Sequence, residues 1–396
     1  MTKNLSFISL FSGCGGLDVG FIESGFTCKR AFDIDKNVVD VHRLNLGESA
    51  VVADLTTISK SELLSNGKPT VVIAGSPCQG FSTAGKRRLD DPRNSLLLHA
   101  GRLALEIKPK VFVAENVSGA LSGEHKIYWH QLESLLRSEG YSTVTLRLNA
   151  SQLGLAQLRS RIFMIAWRGS KTPNLDFPDS SPKTLSDVLE NVDGLPQHDE
   201  LPLAKTSSHY LISRRIKPGQ KLCNVRGGSS SVHTWDIPEV FGKITEQERL
   251  ILKATMKLRR TERLRDFGDA DPVAIESLRR EFGLRADVLV AGLINKGYMR
   301  GIEERFDLAN TFNGKYRRLD WNSVSLTVDT RFGDPRYFLH PSKHRSFTVR
   351  EAARIQGFPD WFVFPGRPVD SYRMIGNAVA PPMARHISSI VRGLLT

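Results

Sequence analysis

Two side chains in this sequence pair a soft nucleophile with a carboxylic acid, and each stands at the end of an apolar run. Cys78 lies in Ala74-Gly75-Ser76-Pro77-Cys78-Gln79-Gly80-Phe81-Ser82, directly after Val71-Val72-Ile73. That run reads as a short buried strand. A free cysteine is ordinarily a small core hydrophobe. Here the turn is rich in Gly, Ser and Pro: Pro77 fixes its own φ, and Gly75 and Gly80 permit turns that a β-carbon would resist. Such a loop presents its thiol, which makes Cys78 a candidate covalent nucleophile. Glu115 follows the apolar stretch Val111-Phe112-Val113-Ala114 and is itself followed by Asn116-Val117. A carboxylate there is either an ion-paired structural group or a working acid. Together the two groups suit attack on an electron-poor ring carbon while an adjacent ring nitrogen is protonated.

A third feature points to a nucleotide. Ser12-Gly13-Cys14-Gly15-Gly16-Leu17 is a glycine-rich turn between a strand-like run and a helix-like one, and Asp33 follows at a distance suited to a ribose. The turn alone fits a dinucleotide as well as a cofactor with adenosine and no pyrophosphate. A hydride-transfer enzyme, however, has no use for the cysteine loop. Asp33 could hold ribose hydroxyls and Asp54 an adenine amino group, against the plainer reading of both as helix-capping aspartates.

These residues need rigid elements to position them. Residues 5–11 read as a first strand, with a helix-like segment running to Ser24. Lys29 to Phe32 is a second strand, Asn37 to Leu44 a helix, and Val51-Val52-Ala53 a further apolar run before Asp54. Ser95 to Ile107 has helical periodicity, His130 to Ser138 is helical, and Tyr141 to Leu148 and Arg161 to Trp167 look like strands. Strands alternating with helices imply a doubly wound, Rossmann-like α/β domain with a mainly parallel sheet. In that architecture ligands lie beyond the carboxyl ends of the strands. Gly13 to Gly16, Asp33, Asp54, Cys78 and Glu115 all fall at such ends.

The pattern changes near residue 172, where prolines interrupt it. Residues 226–231, Arg-Gly-Gly-Ser-Ser-Ser, read as a loop. Residues 244–285 turn helical and rich in arginine, and Ala286 to Lys296 is apolar at helical spacing, ending at Gly297 before Tyr298-Met299-Arg300. This stretch is either a DNA-docking unit or a solvated face supporting a recognition loop. Thr348 and Glu351 have the spacing of a capping box. The expected organisation is a catalytic domain over 1–179, an inserted smaller domain over 180–345, and a segment over 346–396 that returns to the catalytic domain.

The 396-residue chain carries a formal net charge of +13. Such an excess favours a polyanionic partner, nucleic acid first. Cys14, Cys28, Cys78 and Cys223 form no C-x-x-C pair, and no Cys/His spacing suggests a metal site. No apolar run approaches a membrane span, and the start shows no cleavage-site pattern. A cytoplasmic protein is expected.

The ordered motifs closely resemble those of the DNA (cytosine-5)-methyltransferase family of bacterial type, outside residues 180–310. Phe11-Ser12-Gly13-Cys14-Gly15-Gly16-Leu17 is similar to the family's methionine-binding turn. Asp33 stands where the family usually has Glu, and Ser76-Pro77-Cys78-Gln79-Gly80-Phe81-Ser82 resembles its nucleophile loop, with Ser76 replacing a frequent proline. Glu115-Asn116-Val117, Gln157-Leu158-Arg159-Ser160-Arg161, Thr348 to Pro359, and Gly376-Asn377-Ala378-Val379 with Pro381-Pro382 complete the series.

The resemblance implies a catalytic set of Cys78, Glu115, Arg159 and Arg161. It implies an S-adenosylmethionine site formed by Phe11, Ser12, Gly13, Gly15, Gly16, Leu17, Asp33, Ile34, Asp54, Leu55, Pro77, Leu96, Asn377 and Val379. No metal is implied. The partner is double-stranded DNA, contacted by Ser82, Arg226, Gly227, Arg300, Arg317 and Arg331, and the chain acts as a monomer whose system could include a restriction endonuclease. The target cytosine must be flipped out of its stack. An RNA (tRNA) cytosine-5 methyltransferase of the same fold is the alternative, but its recognition region is smaller than the 130 to 165 residues between blocks here. The recognised DNA sequence cannot be read from the chain.

Overall fold

A computed structural model describes residues 5–77, 95–178, 180–265 and 270–396. It divides into two compact units. The first holds residues up to Asp199 together with Asn322–Arg331 and Thr348–Thr396; the second holds Glu200–Trp321 and Phe332–Phe347. Residues 180–199 and 322–331, which the sequence reading placed in the middle domain, therefore belong to the first unit.

The first unit is built on a seven-stranded sheet. Its strands are β1 (Ser6–Leu10), β2 (Thr27–Asp33), β3 (Ala50–Val52), β4 (Val71–Gly75), β5 (Val111–Val117), β6 (Ser142–Asn149) and β7 (Ser160–Trp167). In space the order is β3-β2-β1-β4-β5-β7-β6. The first five pair in parallel, while β7 runs antiparallel to both β5 and β6. Helices α1 (Gly16–Glu23), α2 (Lys36–Leu46), α3 (Lys60–Leu63), α4 (Ser95–Ile107) and α5 (Lys126–Ser138) lie in the crossovers. The sheet order reverses between β1 and β4, and in an open α/β sheet that reversal opens a crevice at the strand ends.

Both faces of the sheet are covered, so its central strands read as continuous apolar runs rather than alternating ones. Side chains alternate sides along each strand. Val72, Ala74, Phe112 and Ala114 pack with Leu97, Leu103 and Leu132 of α4 and α5. Val71, Ile73, Val111 and Val113 pack on the other side with Phe21 of α1 and with Ile387 and Val391 of the C-terminal helix Pro381–Leu395. Phe112 is fully buried; truncating it to alanine is expected to cost about 3–5 kcal/mol.

The C-terminal helix thus belongs to the same core as the first helix. Ser24 and Ser388 hydroxyls meet at 2.5 Å, and the Arg385 guanidinium pairs with Glu23. The helix Val349–Gln356 starts with the capping box anticipated from Thr348 and Glu351.

The second unit has its own core. The helix Glu246–Thr261 is capped by Thr245 and Glu248. It buries Ile251 and Leu252 against Trp235, Val290, Leu293, Met299 and Leu308. A three-stranded antiparallel ribbon of Val273–Ala274, Arg305–Leu308 and Met299–Ile302 lies in this unit. Buried Arg318 donates to the carbonyls of Ser213, Ile216, His340 and Lys343, tying its own strand to two other chain segments. Among the described residues, no helix is long and apolar enough to cross a membrane.

Candidate active site

The carboxyl ends of β1, β2, β4 and β5 surround one hollow in the first unit. Its walls include Phe11 to Cys14, Gly16, Leu17, Asp33 to Asp35, Gly75 to Pro77, Glu115, Val117 and Arg161, with Arg373, Met374 and Asn377 to Val379 arriving from the far end of the chain. Phe11 ends β1 at φ 55, a left-handed conformation uncommon for an aromatic residue. The Ser12 amide then donates to the Phe32 carbonyl at 2.9 Å, locking the turn to β2. Gly15 caps α1 at φ 97, where a side chain would be strained. A β-carbon on Gly16 would lie 2.4 Å from the Val379 carbonyl oxygen. That contact explains the second glycine: only without a side chain can the glycine turn and the C-terminal segment close on each other.

Asp33 closes β2 at the floor of the turn. One carboxylate oxygen accepts from the Gly13 amide at 2.9 Å and the other from the Asp35 amide at 3.0 Å. Burial pushes this carboxyl above its ordinary range, and the two amides oppose that shift. Each oxygen keeps a further lone pair for a ligand hydroxyl. Ile34, the next residue, is 69% exposed although it lines the hollow.

Asp54 lies outside the lining, as do Leu55 and Leu96. It follows β3, whose Val52 pairs with Asp33. The Thr56 hydroxyl and amide both donate to Asp54 Oδ1, at 2.7 and 2.9 Å, and hold its carboxyl below the usual range. Leu55 is buried and its carbonyl meets His99 Nε2 of α4. Leu96 is half-buried in the first turn of α4.

Glu115 and Arg161 meet because of strand register. Arg161 of β7 stands opposite Val117 of β5, so Glu115, two residues back, is its diagonal neighbour on the same face. Arg161 Nε and Glu115 Oε1 are 3.0 Å apart. Burial raises the Glu115 carboxyl above its ordinary range, while the Arg161 and Arg159 charges pull it down. Asn116 points to the other face. Its side-chain amide donates to Ser76 Oγ at 3.2 Å, and its carbonyl accepts from the Val117 amide at 2.8 Å. Asn116 thus fixes the start of the loop that leads to Cys78. Cys78 and Ser82 themselves lie outside the described residues. Cys14 lines the hollow, but burial pushes its thiol to about 12, leaving it an inert neutral group.

Arg159 corrects the sequence expectation that both arginines of the Gln-x-Arg-x-Arg run serve the substrate. It is fully buried and absent from the hollow's lining. Its guanidinium donates to the carbonyls of Val328, Gly376 and Ala378 at 3.0, 2.9 and 2.7 Å. Gln157 and Gln356 continue the network, with Gln356 Nε2 donating to Ala378 at 2.7 Å. These groups brace the segment that carries Asn377. Arg373, Met374 and Ala378 also line the hollow and were missed. Arg373 pairs with Asp35 at 3.3 Å, and its place one helical turn before Asn377 was the available signal.

The residues expected to touch DNA are scattered. Arg226 and Gly227 sit on an exposed loop of the second unit. Arg300 is exposed and pairs with Asp307 at 3.4 Å. Arg317 is half-buried in a short strand. Arg331 falls in the first unit and pairs with Asp329 at 2.5 Å.

A crevice at the sheet reversal, lined among the described residues by an acid–guanidinium pair and a glycine turn, marks a doubly wound α/β protein with a ligand site at its strand ends. Comparison with known proteins carries this to a family. Residues 5–391 match the model of the C-5 cytosine-specific DNA methylases. The chain is 31% identical to the Type II methyltransferase M.XorII of Xanthomonas oryzae pv. oryzae, over 98% of its own length and 84% of that protein's. It is 29% identical to the Type II methyltransferase M.HgiCII of Herpetosiphon aurantiacus, over 96% and 95%. The crystal structure of a DNA modification methyltransferase encoded within an E. coli prophage superposes with a TM-score of 0.60 at 25% identity, over 99% of each chain. The structure of the Entamoeba histolytica methyltransferase gives 0.60 at 15% identity over the whole of both chains, a likeness of fold. The chain belongs to the C-5 cytosine-specific DNA methylase family. The enzyme class and the Rossmann-like fold expected from its motifs are thereby met.

Proposed function

We propose that this chain transfers the methyl group of S-adenosylmethionine to C5 of a cytosine flipped out of a specific double-stranded DNA sequence, through a bond between Cys78 and C6. The observation that carries this reading is the hollow itself. One wall offers an acid–guanidinium pair suited to a pyrimidine, and the opposite wall a glycine turn and a carboxylate suited to an adenosine.

The residues present fit such a cofactor. The two free lone pairs of Asp33 suit ribose hydroxyls, exposed Ile34 would offer an apolar face to the adenine, and Asp54, outside the hollow's lining, would accept from the amino group through Oδ2. Phe11 to Leu17 and Asn377 to Val379 would enclose the methionine end. When bound, S-adenosylmethionine supplies an electrophilic methyl group.

On the base side, the Cys78 thiolate bonds to C6 while Glu115, whose carboxyl burial pushes above its ordinary range, gives a proton to N3. Electron density so released makes C5 nucleophilic enough to accept the methyl group. The C5 proton then departs to a base, the C6–S bond breaks, and the N3 proton returns. Arg161 would steady the flipped nucleotide beside Glu115. Arg159 acts one step removed, as a brace for the C-terminal wall.

The second unit is read as the target-recognition domain and the chain as a monomer; its reading as the modification enzyme of a Type II restriction-modification system is supported by the names of its relatives. Expression in a host lacking 5-methylcytosine, followed by base-resolution sequencing of its DNA and RNA, tests the proposal. Methylation at a fixed DNA sequence is expected. Methylation confined to RNA would overturn it.

A further inference from the structure

The cations of the second unit fall into two groups. Arg249 pairs with Asp236 at 2.5 Å, Arg259 with Asp307, Arg265 with Asp271, Arg279 with Asp287 at 2.6 Å and Arg280 with Glu262 at 2.7 Å. These hold elements of the unit together. The second group surrounds one hollow at the C-terminal end of the helix Glu246–Thr261. Lys257 and Arg260 come from the helix, Arg263 from the turn after it, and Arg226 from the loop following Asn224, with Thr261 completing the wall. All four cations are exposed, and among the described residues no carboxylate lines the hollow. A β-carbon on Gly227 would lie 3.5 Å from Met256 Cε, so the loop rests on the helix here.

Cations at a helix C-terminus gain from the helix dipole. That accounts for Lys257, Arg260 and Arg263, but not for Arg226 brought from a separate loop. Like charges gathered in this way, with no carboxylate among the described lining residues, repel one another until an anion joins them. Guanidinium forks match phosphate oxygens; an arginine can also fork onto a guanine edge, but four cations crowded around one hollow, with no carboxylate or amide side chain among its described lining, suit the evenly charged backbone better. We propose that Arg226, Lys257, Arg260 and Arg263 form a clamp for the phosphodiester backbone of duplex DNA, adding affinity on every sequence and reading no base. This rests on the reading of the second unit as a DNA-binding domain.

The test uses the full chain and a variant carrying R226Q, K257Q, R260Q and R263Q. Binding is measured to a duplex containing a cytosine that the wild type methylates, and to one of equal length without it, from about 50 to about 200 mM salt. The variant should bind both duplexes more weakly by the same factor. Its log–log salt slope should be shallower by about 0.9 per phosphate released, so that the affinity lost across this range shrinks about 3.5-fold per phosphate. The set of methylated sequences should be unchanged. R279Q, which removes a paired and exposed arginine, should keep the wild-type slope. A variant with wild-type circular dichroism and wild-type affinity and slope overturns the clamp. So does a changed set of methylated sequences, or a slope that R279Q flattens by as much. Wild-type protein that methylates cytosine in RNA and binds neither duplex would overturn the DNA reading, and the clamp with it.

Discussion

The two units handle charge in opposite ways. In the first, the charged groups are buried or half-buried and each has specific partners: Asp33 two backbone amides, Glu115 the Arg161 guanidinium, and the bracing Arg159 three carbonyls. In the second, most exposed arginines lie in ion pairs on the surface, and the unpaired ones are known only by their neighbours. A buried charge without partners is so unfavourable that its position must be specified. An exposed charge carries no such constraint, because surface pairs contribute little. Function in the first unit is therefore tied to the fold, and in the second it is added to the surface.

The sharpest test of this contrast lies at the nucleophile loop. Cys78→Ser should lower methyl transfer by about a thousandfold or more, while adenosylmethionine binding stays within a few-fold of normal. A duplex carrying 5-fluorocytosine should trap a covalent adduct with the wild type alone, since fluorine cannot leave as a proton does. A serine variant that still methylates well would remove Cys78 from the reaction.

Glu115→Gln is expected to cost about 10²–10⁴ in rate. Because burial raises this carboxyl and the proton-bearing form is the active one, kcat/KM should fall as pH climbs through the raised value. Arg161 opposes the shift, so Arg161→Gln should move that alkaline limb to higher pH as well as slow the reaction. A limb that stays in place would break the proposed coupling.

Arg159→Gln separates bracing from chemistry. It takes this donor from the buried Val328 and Gly376 carbonyls, while Ala378 keeps Gln356, and stability should drop by about 2–4 kcal/mol. The cofactor's KM should rise more than kcat falls, since the C-terminal wall is what loosens. Equal losses in kcat and kcat/KM would instead return Arg159 to the substrate. At the small end, Arg279→Gln in the second unit should leave the melting temperature unchanged within error, as expected of an exposed pair.

How much of this was legible in the sequence follows from the same contrast. The strands of the first unit were readable because burial on both faces makes them apolar runs, and Asp33 and Glu115 stand out where those runs stop. The meeting of Asn377 with the glycine turn was foreseen from the motifs, although no local pattern demanded it. Arg159 was misread for a physical reason. Strict alternation along a strand would set Arg159 and Arg161 on one side. Instead Gln157–Leu158 pairs with Ser325–Leu326, and only from Ser160 does the chain enter the main sheet. The change of partner sends the two guanidiniums apart. Arg373 was missed because its spacing one turn before Asn377, the available signal, counts only once that face of the helix is known to overlook a ligand. In the second unit, the arginine-rich stretch was read as one feature. The acids that divide it, such as Asp236 and Asp307, lie too far along the chain for local spacing to reveal.

The contact between Gly16 and Val379 has a consequence for how the enzyme is made. The hollow is walled by residues from Phe11 to Leu17 and from Arg373 to Val379, so translation must pass Val379 before that hollow can exist. A nascent chain still lacking residues 377–379 has the glycine turn but no opposing wall, and buried partners such as Ile387 and Val391 have yet to cover α1. Domains built on such distant contacts fold slowly, since a long loop must close before it is rewarded. The fold thereby sets an order of assembly: the hollow closes only after residues 377–379 have been made, however early the glycine turn appears.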